Sequence, residues 1–175
     1  MPGENSTRAG NQQERLIGWI VGFVDGEGCF TVSIFRNATT KTGWQVFPEF
    51  VVTQGARSRH VLHELRDYFG CGHISVNHRH DNHNAPLYRY CVRSMVHLRD
   101  RIVPFFERNS LRTAKIEDFR IFCKVLKRME RGAHLHPSGI NEIAEMVEHM
   151  NRKAARMRIL RDSTPESPDE RRRTR

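Results

Sequence analysis

Three glycines spaced four residues apart in one apolar stretch constrain this chain more than anything else in it. The run reads Leu16-Ile17-Gly18-Trp19-Ile20-Val21-Gly22-Phe23-Val24-Asp25-Gly26-Glu27-Gly28. In a helix, Gly18, Gly22 and Gly26 fall on one face. A glycine inside a helix costs roughly 1 kcal/mol against alanine, so three on one stripe point to a demand for very close backbone approach. A second helix carrying the same stripe would meet that demand, and it would bring two copies of Glu27 together. A buried strand followed by a turn is the competing reading of the same residues. A calcium loop would continue its oxygen-ligand alternation downstream, and this one does not. Membrane insertion is excluded for this stretch, because Leu16–Val24 is nine residues and a span needs about 20.

Charge narrows the partners. The 175 residues carry 29 Lys+Arg against 20 Asp+Glu, a net charge of +9, with a sequence pI near 10.0. Such a balance favours a polyanion, nucleic acid first; a merely solubilising charge is the alternative. Cys29, Cys71, Cys91 and Cys123 stand far apart with no CxxC spacing. They read as reduced cysteines of an intracellular protein. The first residues show no apolar signal region, so secretion is not expected.

Residues 1–12 read as a flexible polar arm, 13–160 as one domain, and 161–175 as a disordered basic tail containing Arg171-Arg172-Arg173. A helix is expected from Gln13 to Gly26. Phe30, Val32 and Ile34 then alternate with Thr31, Ser33 and Phe35, the period of a strand. Asn37–Gly43 is polar, and Trp44–Gln54 reads as a second strand whose Pro48 requires an edge position or a bulge. Val61, Leu62, Leu65, Tyr68 and Phe69 form the stripe of an amphipathic helix ending at Gly70-Cys71-Gly72. A second hairpin follows, His73–Asn77 and Leu87–Arg93. Ser94 should cap a short helix that Pro104 ends. Longer helices are expected over Thr113–Arg131 and after Ser138, the first burying Ile116, Phe119, Phe122 or Cys123, Leu126 and Met129.

The nonamer Ile20-Val21-Gly22-Phe23-Val24-Asp25-Gly26-Glu27-Gly28 resembles the signature of the LAGLIDADG homing endonucleases, and the apolar and glycine positions fit that family to about residue 150. The resemblance implies an α+β fold of order αββαββα with an antiparallel β-sheet saddle and additional C-terminal helices. With one copy of the motif, it implies a homodimer docked through Gly18, Val21 and Gly22. It implies site-specific cutting of double-stranded DNA, as in intron or intein homing. Glu27 and the Gly26 carbonyl would hold Mg²⁺, with Mn²⁺ or Ca²⁺ able to occupy the same sites; Asp25 would be structural. Gln54 matches the glutamine that orders active-site water, and Lys115 the active-site lysine, with Arg112 its rival. The family's basic position after Gln54 falls on Ser58, between Arg57 and Arg59.

Hard oxygen donors suit that chemistry, since Mg²⁺ takes one or two carboxylates together with phosphate oxygens and water. A twisted antiparallel ribbon fits the major groove, where every base pair is distinguishable. Strand alternation assigns Thr31, Ser33, Phe35, Asn37, Gln45, Phe47, Glu49 and Val51 to the DNA side of the first hairpin. Ser75, Asn77, Arg89 and Arg93 take that side of the second, with Arg112 a further DNA contact. Two such surfaces related by a two-fold axis would cover about 20 base pairs. His78, His80 and His83, with His73 and Cys71 just before, match no structural zinc spacing. An intron RNA partner, as in splicing maturases, and a non-cleaving DNA-binding regulator remain alternatives on the same scaffold.

Overall fold

A computed structural model describes residues 4–77 and 86–150. The histidines at 78, 80 and 83 and the basic tail lie outside the described residues. Helix α1 (Glu4–Glu27) leads into strands β1 (Gly28–Arg36) and β2 (Trp44–Gly55), helix α2 (Arg59–Phe69), and strands β3 (His73–Asn77) and β4 (Leu87–Val92). Helices α3 (Met95–His97), α4 (Val103–Arg108), α5 (Lys115–Glu130) and α6 (Pro137–Glu148) complete the order. The expected αββαββα sequence with extra helices is present.

All strand pairs are antiparallel, in the order β1-β2-β4-β3. Pro48 pairs with Val32 of β1, whereas β4 reaches β2 only from Phe50 onward. The proline therefore lies where β2 has one neighbour, the kind of edge position that tolerates a missing N–H donor. Phe30, Val32, Phe50, Val52, Tyr90 and Val92 turn to the helix-covered side and are buried. Phe30 is the hub of that core: its ring centroid lies 5.1 Å from Phe50, 5.5 Å from Phe106, 5.0 Å from Phe119 and 5.5 Å from Phe122. Gly70 ends α2 in the left-handed conformation at φ 60°, which glycine adopts without a Cβ penalty.

Two expectations are corrected. Helix α1 starts at Glu4 rather than Gln13, so residues 4–12 of the segment that reads as an arm are helical. Residues 4–12 hold no proline, and Glu4, Arg8, Ala9 and Gln12 are good helix formers. Pro104 does not end its helix. Ser94 caps α3 as expected, its Oγ accepting from the His97 N–H at 3.4 Å, but the chain then widens into a π turn over Leu98–Ile102. There the Val103 N–H donates to the Leu98 carbonyl, and α4 starts with the proline in its first turn. A proline removes one i→i−4 bond, and a wider turn just before it absorbs the loss.

Candidate active site and nucleic-acid interface

Asp25 and Glu27 stand in the last turn of α1, a turn without basic residues. A helix is negative at this end and favours cations there, so both acids oppose their local electrostatics. The rest of the fold compensates. Lys115, the first residue of α5, donates from Nζ to the Val24 carbonyl at 2.9 Å, one of the last four carbonyls an α-helix leaves without an internal partner. Burial pushes the Lys115 amine down. Cys29, Asp25 and Glu27 lie close enough to oppose that effect, yet the net position stays below that of an ordinary lysine.

Asp25 binds the approach to α5. Its Oδ2 accepts from the Arg112 N–H at 2.8 Å, and its Oδ1 accepts from the Thr113 hydroxyl at 2.6 Å. The Thr113 N–H adds a bond at 3.1 Å. Burial raises the Asp25 carboxyl, but these bonds and Lys115 outweigh it, leaving it below the usual carboxylate range. The geometry thus gives the two acids different roles. Asp25 is committed to α5, and Glu27 is exposed at the helix end.

Gln54 lies on the helix side of β2, two residues past the Val52–Gly28 pair, and faces Tyr88 of β4. Arg59 leans over the Tyr88 ring at 5.8 Å. Ser58 falls at the start of α2 without a side-chain cap bond, and Tyr88, which pairs with Gln54 across the sheet, is the ring that Arg59 covers. Arg112 is exposed, and what the structure records for it is the backbone bond to Asp25.

Gly18, Gly22 and Gly26 open to empty space: a Cβ built on any of them meets nothing within 4 Å. Fully buried Ile20 and Val24 occupy the opposite side of α1. Val21, by contrast, is half-buried against the core. Exposed Leu16 and Trp19 border the glycine stripe instead, with Trp19 stacked on Phe23 at 5.3 Å; bulk beside glycine was the available signal.

The strand alternation holds. The register places Thr31, Ser33 and Phe35 beside Glu49, Phe47 and Gln45 across β1 and β2, and it puts Arg89 opposite Thr53 and Ser75. All face away from the helices; Asn77 holds the same register in β3, opposite Leu87. Three roles change. The Asn37 amide builds the β1–β2 turn: its Oδ1 accepts from the Thr39 N–H at 3.0 Å, and its Nδ2 donates to Gln45 at 2.6 Å. Val51, 7% exposed, is covered by its neighbours rather than open to a groove. Glu49, 8% exposed, accepts from Arg93 Nε at 2.6 Å and from Arg89 Nη2 at 3.0 Å. Alternation assigns a face, but side chains crossing between strands decide what that face exposes. Cys91 lies beneath these groups; burial first, then the Glu49 charge, push its thiol up to about 11.

Among the described residues, one sheet with helices on one side, an open face bearing arginines and small polar residues, and an acid-bearing helix end beside a lysine define the homing-endonuclease fold. The family model described as LAGLIDADG endonuclease matches residues 20–126, and the chain belongs to that family. The crystal structure of the homing endonuclease I-TnaI is 43% identical, with a TM-score of 0.73 over 83% of this chain and 93% of that one. I-SmaMI bound to an uncleaved DNA target in the presence of calcium ions is 31% identical, with a TM-score of 0.72 over 85% of this chain and 49% of that one. "Probable intron-encoded endonuclease 3" of Neurospora crassa is 28% identical over 142 residues, 81% of this chain and 26% of its own length. This chain spans about a quarter of the length of the first curated relatives it matches.

Proposed function

We propose that this chain is a site-specific double-strand DNA endonuclease acting as a homodimer with a divalent cation. The observation that carries the reading is the end of α1: an exposed Glu27 beside Lys115, at the foot of a glycine face open to a second backbone. Glu27 and the Gly26 carbonyl are hard oxygen donors at a negative helix end, a donor set that fits Mg²⁺, with Mn²⁺ or Ca²⁺ as substitutes. Among the described residues no three His, Cys, Asp or Glu side chains gather into a metal cluster. A single carboxylate per chain suits a cation that takes its remaining oxygens from phosphate, water and a second copy. When bound, such a cation offsets phosphate charge and makes a water more acidic.

The chain's own groups do the rest. Glu27 holds the cation's position, Lys115 Nζ offsets charge building on the scissile phosphate, and Gln54 orders a water by hydrogen bonding. Asp25 holds α5 so that Lys115 stays at this corner. Two-fold symmetry gives each DNA strand one Glu27, and the breaks follow without a second catalytic sequence. The open faces of the two sheets would follow the major groove over about 20 base pairs. Among the described residues no helix is long and apolar enough to cross a membrane.

The test is Glu27→Gln. Purified protein and Mg²⁺ are offered a randomised duplex library, and cut ends are captured and sequenced. Wild type should select one site and cut both strands. Glu27→Gln should bind that duplex with similar affinity and cut it at least about 100-fold more slowly, the loss typical of a preorganised charge. A variant that cuts at the wild-type rate removes Glu27 from the mechanism. Wild type that binds intron RNA and cuts no duplex would favour the splicing reading.

A further inference from the structure

Among the described residues Glu49 is the one buried charged residue, and it lies in the middle of the face that meets DNA in the function proposed above, on which this inference rests. A buried carboxylate without partners is costly. Two of Glu49's partners are cations, one on each oxygen: Arg93 through Nε at 2.6 Å, and Arg89 through Nη2 at 3.0 Å; the Cys91 thiol bonds it as well. The Arg93 guanidinium also lies over the Phe47 ring at 5.3 Å. Both arginines keep part of their surface open, 30% for Arg89 and 41% for Arg93.

Arg89 and Arg93 are four residues apart, about 13 Å along a strand. Left alone, two long cations would repel each other and follow phosphates. Glu49 draws both heads to the two ends of one carboxylate, so they sit side by side over the sheet. Because the Glu49 contacts use one nitrogen of each guanidinium, each keeps free N–H donors of the kind that pair with O6 and N7 of guanine. Holding the heads in place also removes rotamer freedom before DNA arrives.

We infer that Glu49 is a specificity-determining positioning residue, holding Arg89 and Arg93 as a fixed pair that reads guanines at neighbouring base pairs in each half-site. Glu49 itself, only 8% exposed, then acts through the two arginines rather than on a base.

The experiment compares wild type and Glu49→Gln in selection from a randomised duplex library, with filter binding to an unrelated duplex over a salt series. Wild type should prefer guanine at two adjacent positions per half-site by about tenfold or more each, the scale of a bidentate arginine contact. Glu49→Gln should lose that preference while binding the unrelated duplex more tightly, with a salt slope steeper by about one released counterion. A purely structural role would weaken both kinds of binding and leave the base profile unaltered. If Glu49→Gln does not fold, Arg89→Gln and Arg93→Gln decide: each should erase one guanine preference, and two unchanged profiles overturn the inference. Wild type that selects a site which Glu49→Gln selects equally well overturns the inference alone. Wild type that binds no duplex overturns the endonuclease reading and this one with it.

Discussion

Gly22→Leu separates a docking face from an idle one, because the two give opposite signs. Gly18 and Gly22 lie inside α1, and each costs about 1 kcal/mol relative to a good helix former. Two identical chains therefore give up about 4 kcal/mol in this stripe, which close association must more than offset. Within one chain a Cβ at Gly22 meets nothing within 4 Å. If the face only meets solvent, Gly22→Leu gains about 0.8–1 kcal/mol of helix propensity and raises Tm by about 2–4 °C for a domain of this size. In a glycine-mediated homodimer both copies drive an isobutyl group into the gap between the helices. Overpacking costs about 1–3 kcal/mol per site, so two copies should weaken association by about thirtyfold or more. Size-exclusion chromatography with light scattering reads the oligomer, melts at two concentrations read the coupling, and a plasmid carrying the selected site reads the double-strand break. A variant as dimeric as wild type, cutting at the same rate, refutes the glycine-face dimer; so does a wild type that is monomeric on its target.

The Asp25 cap should make stability depend on pH. Its carboxyl is lower in the folded chain than the ordinary 3.8, so its contribution is present above that value and fades as pH falls through the folded one. Asp25→Asn should melt about 2–4 °C below wild type at pH 6, the equivalent of about 1 kcal/mol of lost hydrogen bonding, and the gap should narrow as pH falls below 3.8; a constant gap refutes the charge argument. Phe30→Ala opens a cavity where a fully buried ring touches four others. It should cost about 3–5 kcal/mol, about 10 °C or more in Tm, and a loss near 1 kcal/mol in chemical denaturation would show that the core collapses around the gap.

The parts legible in the sequence were those carried by local periodicity. Phe30-Val32 and Leu62-Leu65-Phe69 each repeat at the spacing of one element, so strand face and helix stripe follow from a single chain segment. The Ser94 cap and the Gly70 stop are equally local. Pro104 was misread because a proline stops a regular helix, whereas here the π turn over Leu98–Ile102 absorbs it. Val125, fully buried in α5, lies off the stripe that periodicity picked out, because α5 packs against more than one neighbour.

The contacts joining distant positions were not local. Asp25 could be read as structural, but its partners Arg112 and Thr113 are more than eighty residues away. No local pattern connects Lys115 Nζ with the Val24 carbonyl, or Arg59 with Tyr88. Glu49 looked like a base contact because alternation puts it on the open face; its burial and two arginine partners come from β4.

What the linear order of residues determined by itself was the set of elements, the glycine stripe and the acid at its foot, since spacing along one helix or strand is a one-dimensional property. What only the tertiary structure decided was which charges meet. A carboxylate becomes a cap, an exposed donor or a clamp according to what other segments bring within hydrogen-bonding distance. Those distances depend on how helices and strands pack in three dimensions.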